Sequence, residues 1–189
     1  MMIEDHLSGA APQHPGGIER SPPALLKEPL EFLFAEHYRH RQMCKILEYL
    51  AVEPAFDASL IAATDDFIRY DLALHVIDEE EDLFPLLRRR CEPDDDIEDV
   101  LGCLSADHAL DQQLAQVVRS IFALALEKRA PPSILPGGEE ALLKLAKQEK
   151  SHMALENAVI MPLARRRLQP GDLEALSMRL AARRGLIMT

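Results

Sequence analysis

Residues 75–90 read HVIDEEEDLFPLLRRR and residues 152–167 read HMALENAVIMPLARRR. Aligned without gaps, they share seven of sixteen positions: His75 with His152, Glu79 with Glu156, Pro85 with Pro162, Leu86 with Leu163, and Arg88–Arg90 with Arg165–Arg167. Positions i and i+4 of an α-helix lie on one face, about 6 Å apart. Each His-x-x-x-Glu can therefore aim an imidazole and a carboxylate at a common point. A proline inside a helix removes a backbone hydrogen bond and costs about 3 kcal/mol or more. Two prolines at matching offsets mark two duplicated helix–turn–helix halves, each bent beyond its His-Glu pair.

The text around these stretches is helical and is cut by breakers: VEPAFD at 52–57, CEPDDD at 91–96, RAPPSILPGG at 129–138 and QPGD at 169–172. No segment alternates with period two, Trp is absent and aromatic residues make up only 5%. Three- and four-residue steps give each long segment an apolar stripe. These are Leu30, Leu33, Phe34, His37, Cys44 and Leu47 in the first, and Leu101, Leu104, His108, Ala115, Val118 and Phe122 in the third. The second carries Phe67, Leu74, His75 and Leu86 with Asp71, Glu79 and Asp82, and the fourth Leu142, Leu145, His152, Glu156, Val159 and Leu163. The fold class is all-α: an up-down-up-down four-helix bundle over residues 24–168. A disordered N-terminal tail (1–23) precedes it, and an amphipathic C-terminal helix (169–189) packs on it. His6 and His14, in the tail, are expected to be idle.

Composition narrows the functions. The formal net charge of −11 argues against a nucleic-acid surface, which needs clustered positive charge. The arginine triplets fall near helix ends, where cations favour the dipole. Three cysteines, Cys44, Cys91 and Cys103, form no CxxC pair and give no disulfide framework or thiolate zinc site. The first residues, MMIEDHLSGA, lack a basic and an apolar region, and no apolar run approaches about 18 residues. The expectation is a cytoplasmic protein without membrane or nucleic-acid partners; a protein partner or a homodimer stays open.

Each of the four long segments thus puts one histidine in its apolar stripe, and two add a glutamate. Buried carboxylates pair, protonate or bind metal, because an isolated charge in an apolar core is very costly. No lysine stands near them on those stripes. Around divalent cations the set makes chemical sense, and mixed imidazole and carboxylate suits iron, with manganese or zinc as alternatives. The metal ligands expected are His37, His75, Glu79, His108, His152 and Glu156. His40, three residues after His37, stays ambiguous, and Glu80 and Glu81 read as solvated.

The ordered set His37, His75-x-x-x-Glu79, His108, His152-x-x-x-Glu156, with LFP at 83–85 and MP at 161–162, resembles the haemerythrin-like HHE cation-binding domain over roughly residues 29–168. The flanks FAEHYRHRQMCKILEYL, DHALDQQLA and SHMALENAVIMPLA share its texture. The resemblance implies two iron ions bridged by both glutamates and an oxo or hydroxo group, binding a small diatomic ligand, O2 or NO. Two positions depart from oxygen-carrying haemerythrins: Gln112 stands where they have a further histidine, and Asn157 where they have an aspartate. With both glutamates bridging, about ten of twelve octahedral positions are filled, which leaves one open position on each ion. Sensing, NO or peroxide chemistry, or iron handling then fit better than reversible O2 storage. The alternatives are a di-iron oxidase or reductase of small nitrogen or oxygen species, and a metal-stabilised interaction module. Catalytic residues are not assigned, and no flavin or nicotinamide fingerprint is visible.

Overall fold

The computed structural model describes residues 13–187; His6 lies outside them. Five helices account for most of the described chain: α1 (Pro29–Val52), α2 (58–90), α3 (Ile97–Lys128), α4 (138–167) and α5 (Pro170–Arg183). No strand occurs among the described residues. α1 to α4 form an antiparallel bundle, in which α4 packs against both α1 and α3, and α5 lies across the α1 end and the later part of α2. Among the described residues, no helix is long and apolar enough to cross a membrane.

The helix boundaries follow local chemistry. Asp57 caps α2 by accepting the Leu60 N–H at 2.9 Å, satisfying a donor that the first turn leaves free. Before α5, Gln169 and Asp172 form a reciprocal capping box. The connection into α4 needs glycine at 138, because a Cβ there would meet the Pro132 carbonyl oxygen at 2.0 Å. Residues 13–22 are irregular and lie along α1: the Glu19 N–H donates to Gln42 and Ser21 donates to Glu36.

Two apolar clusters fill the bundle. One joins Met43, Leu47 and Leu50 of α1 to Phe67 and Leu72 of α2, Val118 and Phe122 of α3, and Leu142 and Leu145 of α4. The other joins Leu30 and Leu33 to Leu83, Phe84 and Leu87, Leu101 and Leu104, Ile160 and Met161, and then Leu176 and Leu180 of α5. Along every bundle helix the chain passes from one cluster to the other through buried polar residues: His37 and His40, His75 to Asp82, His108 and Asp111, Glu149 to Glu156. A polar layer therefore crosses the middle of the bundle, clamped by apolar packing on both sides.

The apolar stripes differ from simple helical spacing in places. Phe34 is on the outside of α1, 42% exposed, and Leu74, Val159 and Leu163 are half-buried. In α2's second half Leu86 is buried as expected, and Leu83, Phe84 and Leu87 join it in the core. For Leu74, Val159 and Leu163 the cause is a change of helical pitch, because α2 and α4 are not α-helical throughout. They contain π turns at Phe67–Leu72, Glu79–Leu83 and Glu156–Ile160, and each wide turn rotates the residues after it.

Candidate metal centre

The two later π turns explain the prolines. The Phe84 N–H donates to the Glu79 carbonyl, and the Met161 N–H to the Glu156 carbonyl, both five residues back. Pro85 and Pro162 follow immediately. A proline in regular α-helix clashes with the carbonyl four residues before it; the wider turn supplies the slack. Each turn starts at the glutamate itself, while the Glu79 and Glu156 N–H groups still bond to the His75 and His152 carbonyls. The four-residue step from histidine to glutamate is thus kept α-helical, and the wide turn begins at the glutamate.

The six residues expected from the sequence lie together, in two overlapping groups. His37, His75, Glu79 and Glu156 place one donor atom each within 4.8 Å of one another, and so do Glu79, His108, His152 and Glu156. All six residues are buried. Glu79 Oε1 faces His75 Nε2 at 3.3 Å and His37 Nε2 at 3.7 Å, while its Oε2 faces His108 Nε2 at 3.3 Å. Glu156 Oε2 faces His37 Nε2 at 3.2 Å, and its Oε1 faces His152 Nε2 at 2.9 Å. Both carboxylates are split between the two groups, one oxygen to each.

These approaches are not hydrogen bonds. The Nε2 atoms of His37, His75 and His108, Glu79 Oε2 and both Glu156 oxygens are buried with no hydrogen-bond partner among the described residues. Buried polar atoms are normally satisfied; a convergent set of unpaired nitrogen and oxygen donors fits a cation in each group. Without cations, the glutamates favour the protonated form of His37 and His152. Burial opposes charge on His37, but Glu156 and Glu79 outweigh it and raise its pKa to about 10. His152 rises against its own burial to about 9, driven by Glu156. Glu79, although buried, is held well below the usual carboxylate range by His75, His108 and His37.

The outer nitrogens of the imidazoles are oriented from behind. His37 Nδ1 is 3.0 Å from Asn157 Oδ1, so a proton on Nδ1 leaves the Nε2 lone pair for a metal. His108 Nδ1 lies 2.7 Å from Glu80 Oε1, and Ser105 donates to the other Glu80 oxygen at 3.1 Å. Glu80, expected to be solvated, thus anchors a candidate ligand; only the packing of α3 on α2 reveals it. Glu81 is exposed, as expected of it.

His40 is buried, with its ring centroid 4.5 Å from that of His75 and Nδ1 3.6 Å from Glu149. It belongs to neither four-residue group. Burial pushes its pKa well down, with the neighbouring histidines adding to the effect, and burial pushes Glu149 up to about 8. The two meet as neutral groups. Asp111, also buried, stands 3.5 Å from His152 Nδ1. Sequence spacing shows neither Glu149 nor Asp111, although they sit three residues before His152 and three after His108. Gln112 is exposed and lines a cavity of about 510 Å³ between α2 and α3, whose inner wall includes His108 and Asp111.

Comparison with known proteins agrees with this arrangement. The sequence model of the hemerythrin HHE cation binding domain matches residues 28–164. The chain belongs to that family. No curated protein matches the chain. As an HHE cation-binding domain, it has the family's bundle, and its buried His/Glu groups are ones that could hold metal. α5 lies beyond the matched residues.

Proposed function

We propose that this HHE protein holds two iron ions, one in each His/Glu group, and binds or senses O2, NO or a related small oxidant. His37 and His75 would hold one ion and His108 and His152 the other, with one oxygen of Glu79 and one of Glu156 available to each. The observation that carries the reading is the split of both carboxylates, one oxygen to each histidine pair. Iron held there would supply redox chemistry that imidazole and carboxylate side chains lack, and this mixed donor set suits it. The protein's part is to fix the ligand atoms, to keep water out with apolar clusters on both sides, and to admit a small molecule. The cavity between α2 and α3 reaches His108 and gives such a molecule a path to the second ion.

The test is the absorption spectrum of anaerobically reduced, iron-loaded protein before and after O2, and separately before and after NO. The reading expects new visible bands with at least one gas. A spectrum that neither gas changes, in protein shown to hold iron, overturns the small-oxidant reading and favours iron handling or a structural metal.

A further inference from the structure

α2 carries two more buried acids beside Glu79: Asp78, whose side chain is 0% exposed, and Asp82, at 3%. All four of their oxygens are taken by Arg179 and Arg183 of α5 and by Arg184, the residue that follows it. Asp78 Oδ1 accepts from Arg183 at 2.8 Å and Oδ2 from Arg184 at 2.7 Å. Asp82 Oδ1 accepts from Arg179 at 2.8 Å and Oδ2 from Arg183. Arg183 therefore straddles both acids, one on either side of the π turn's first residue. The other half of the repeat lacks the acids for such a device: Leu155 and Val159 occupy the positions that match Asp78 and Asp82.

A buried carboxylate without a partner is very costly. Without the arginines, Asp78 and Asp82 would be unpartnered buried charges on the same stretch of helix as Glu79. We propose that Arg183 and Arg184 are positioning residues for Glu79. They engage Asp78 and Asp82 so that neither competes for metal, and they pin the π turn at the rotation that points Glu79 between the two histidine pairs. This rests on the metal-centre reading above, and makes a helix outside the matched domain part of the metal site's construction.

The test uses the full chain, stripped by chelation and titrated with Co2+, followed by visible absorption and calorimetry. Groups that orient metal ligands typically contribute roughly 10–100-fold in affinity, so Arg183→Ala/Arg184→Ala is expected to lose that much and to change the Co2+ bands. Arg183→Lys/Arg184→Lys, which keeps the charge, should recover part of both. Asp172→Ala is the control for docking alone: Asp172 ties the start of α5 to Arg89 and Arg90 at the end of α2, away from Glu79. It should lower the melting temperature of metal-free protein while leaving Co2+ affinity and bands nearly unchanged. If the double variant does not fold, Arg184→Met, which leaves Arg183 on both acids, carries the same test with a smaller loss. Unaltered Co2+ affinity and bands in the arginine variants, or an equal loss in Asp172→Ala, overturns the proposal. An unaltered chain that takes up no Co2+ overturns the metal-centre reading and this proposal together.

Discussion

His152 Nε2 lies 2.9 Å from Glu156 Oε1, one turn along α4, while the second oxygen of that carboxylate faces His37 of α1 at 3.2 Å. Glu156 thus belongs to both donor groups, whereas His75 belongs to one. Substitutions at the two positions should differ in kind. Glu156→Ala is expected to lower occupancy of both ions, and His75→Ala mainly that of one. Metal bound only by the folded chain adds to its stability, so melting temperature should fall with iron content. Elemental analysis and thermal melts of the two variants check this; full iron content in Glu156→Ala would remove that residue from the bridge.

Metal uptake should release protons. With pKa values of about 10 and about 9, His37 and His152 are protonated at neutral pH in the metal-free chain, and only the neutral ring is a ligand. Binding is therefore expected to release about two protons from this pair and to strengthen as pH rises from about 6 to 9. The metal-free fold should respond in the opposite sense. A raised folded-state pKa stabilises below the unfolded value of 6.5, and that contribution is lost as pH rises through 9 and 10. Calorimetry in buffers of different ionisation enthalpy counts the protons, and melts across pH compare the two forms.

Glu80 should act on one ion more than the other. Its carboxylate meets Nδ1 of His108, which belongs to the second group only. Glu80→Ala is expected to weaken the second ion roughly tenfold or more, with the first less affected, and Glu80→Gln to retain part of the effect. Competition with a chelator of known affinity measures both steps. Equal weakening of the two ions would argue against an orienting role.

The exposed histidine offers a contrast. His14 touches Tyr49 and Asp57 at the surface of the bundle, far in character from the buried layer. His14→Ala should change neither iron content nor melting temperature appreciably, since surface substitutions usually stay within about 0.5 kcal/mol. Loss of iron in this variant would mean that histidines outside the bundle core take part.

Much of this architecture is legible in the residues. Helical spacing, prolines and acidic breakers mark the bundle, and the doubled His-x-x-x-Glu brings out Glu79 and Glu156 because two copies at one spacing are hard to obtain by accident. What stays hidden is either a matter of pitch or of tertiary partners. A π turn inserts a rotation that no residue type announces, so Phe84 and Leu87 enter the core where regular spacing favours others. Glu80 looks like one acid in a solvated run until α3 brings His108 to it. Asp78 looks the same until α5 brings Arg183 and Arg184. Glu149 and Asp111 are ordinary polar residues of two separate helices until packing buries them beside His40 and His152.

The most direct measurement is the metal content of the full chain after anaerobic loading with Fe2+ and removal of loosely bound iron. Six ligand residues with two shared carboxylates exceed what one octahedral ion can use, so about two iron atoms per chain are expected, falling well below that in Glu156→Ala. A single tightly held ion, or none, would contradict a centre built on carboxylates split between two histidine pairs.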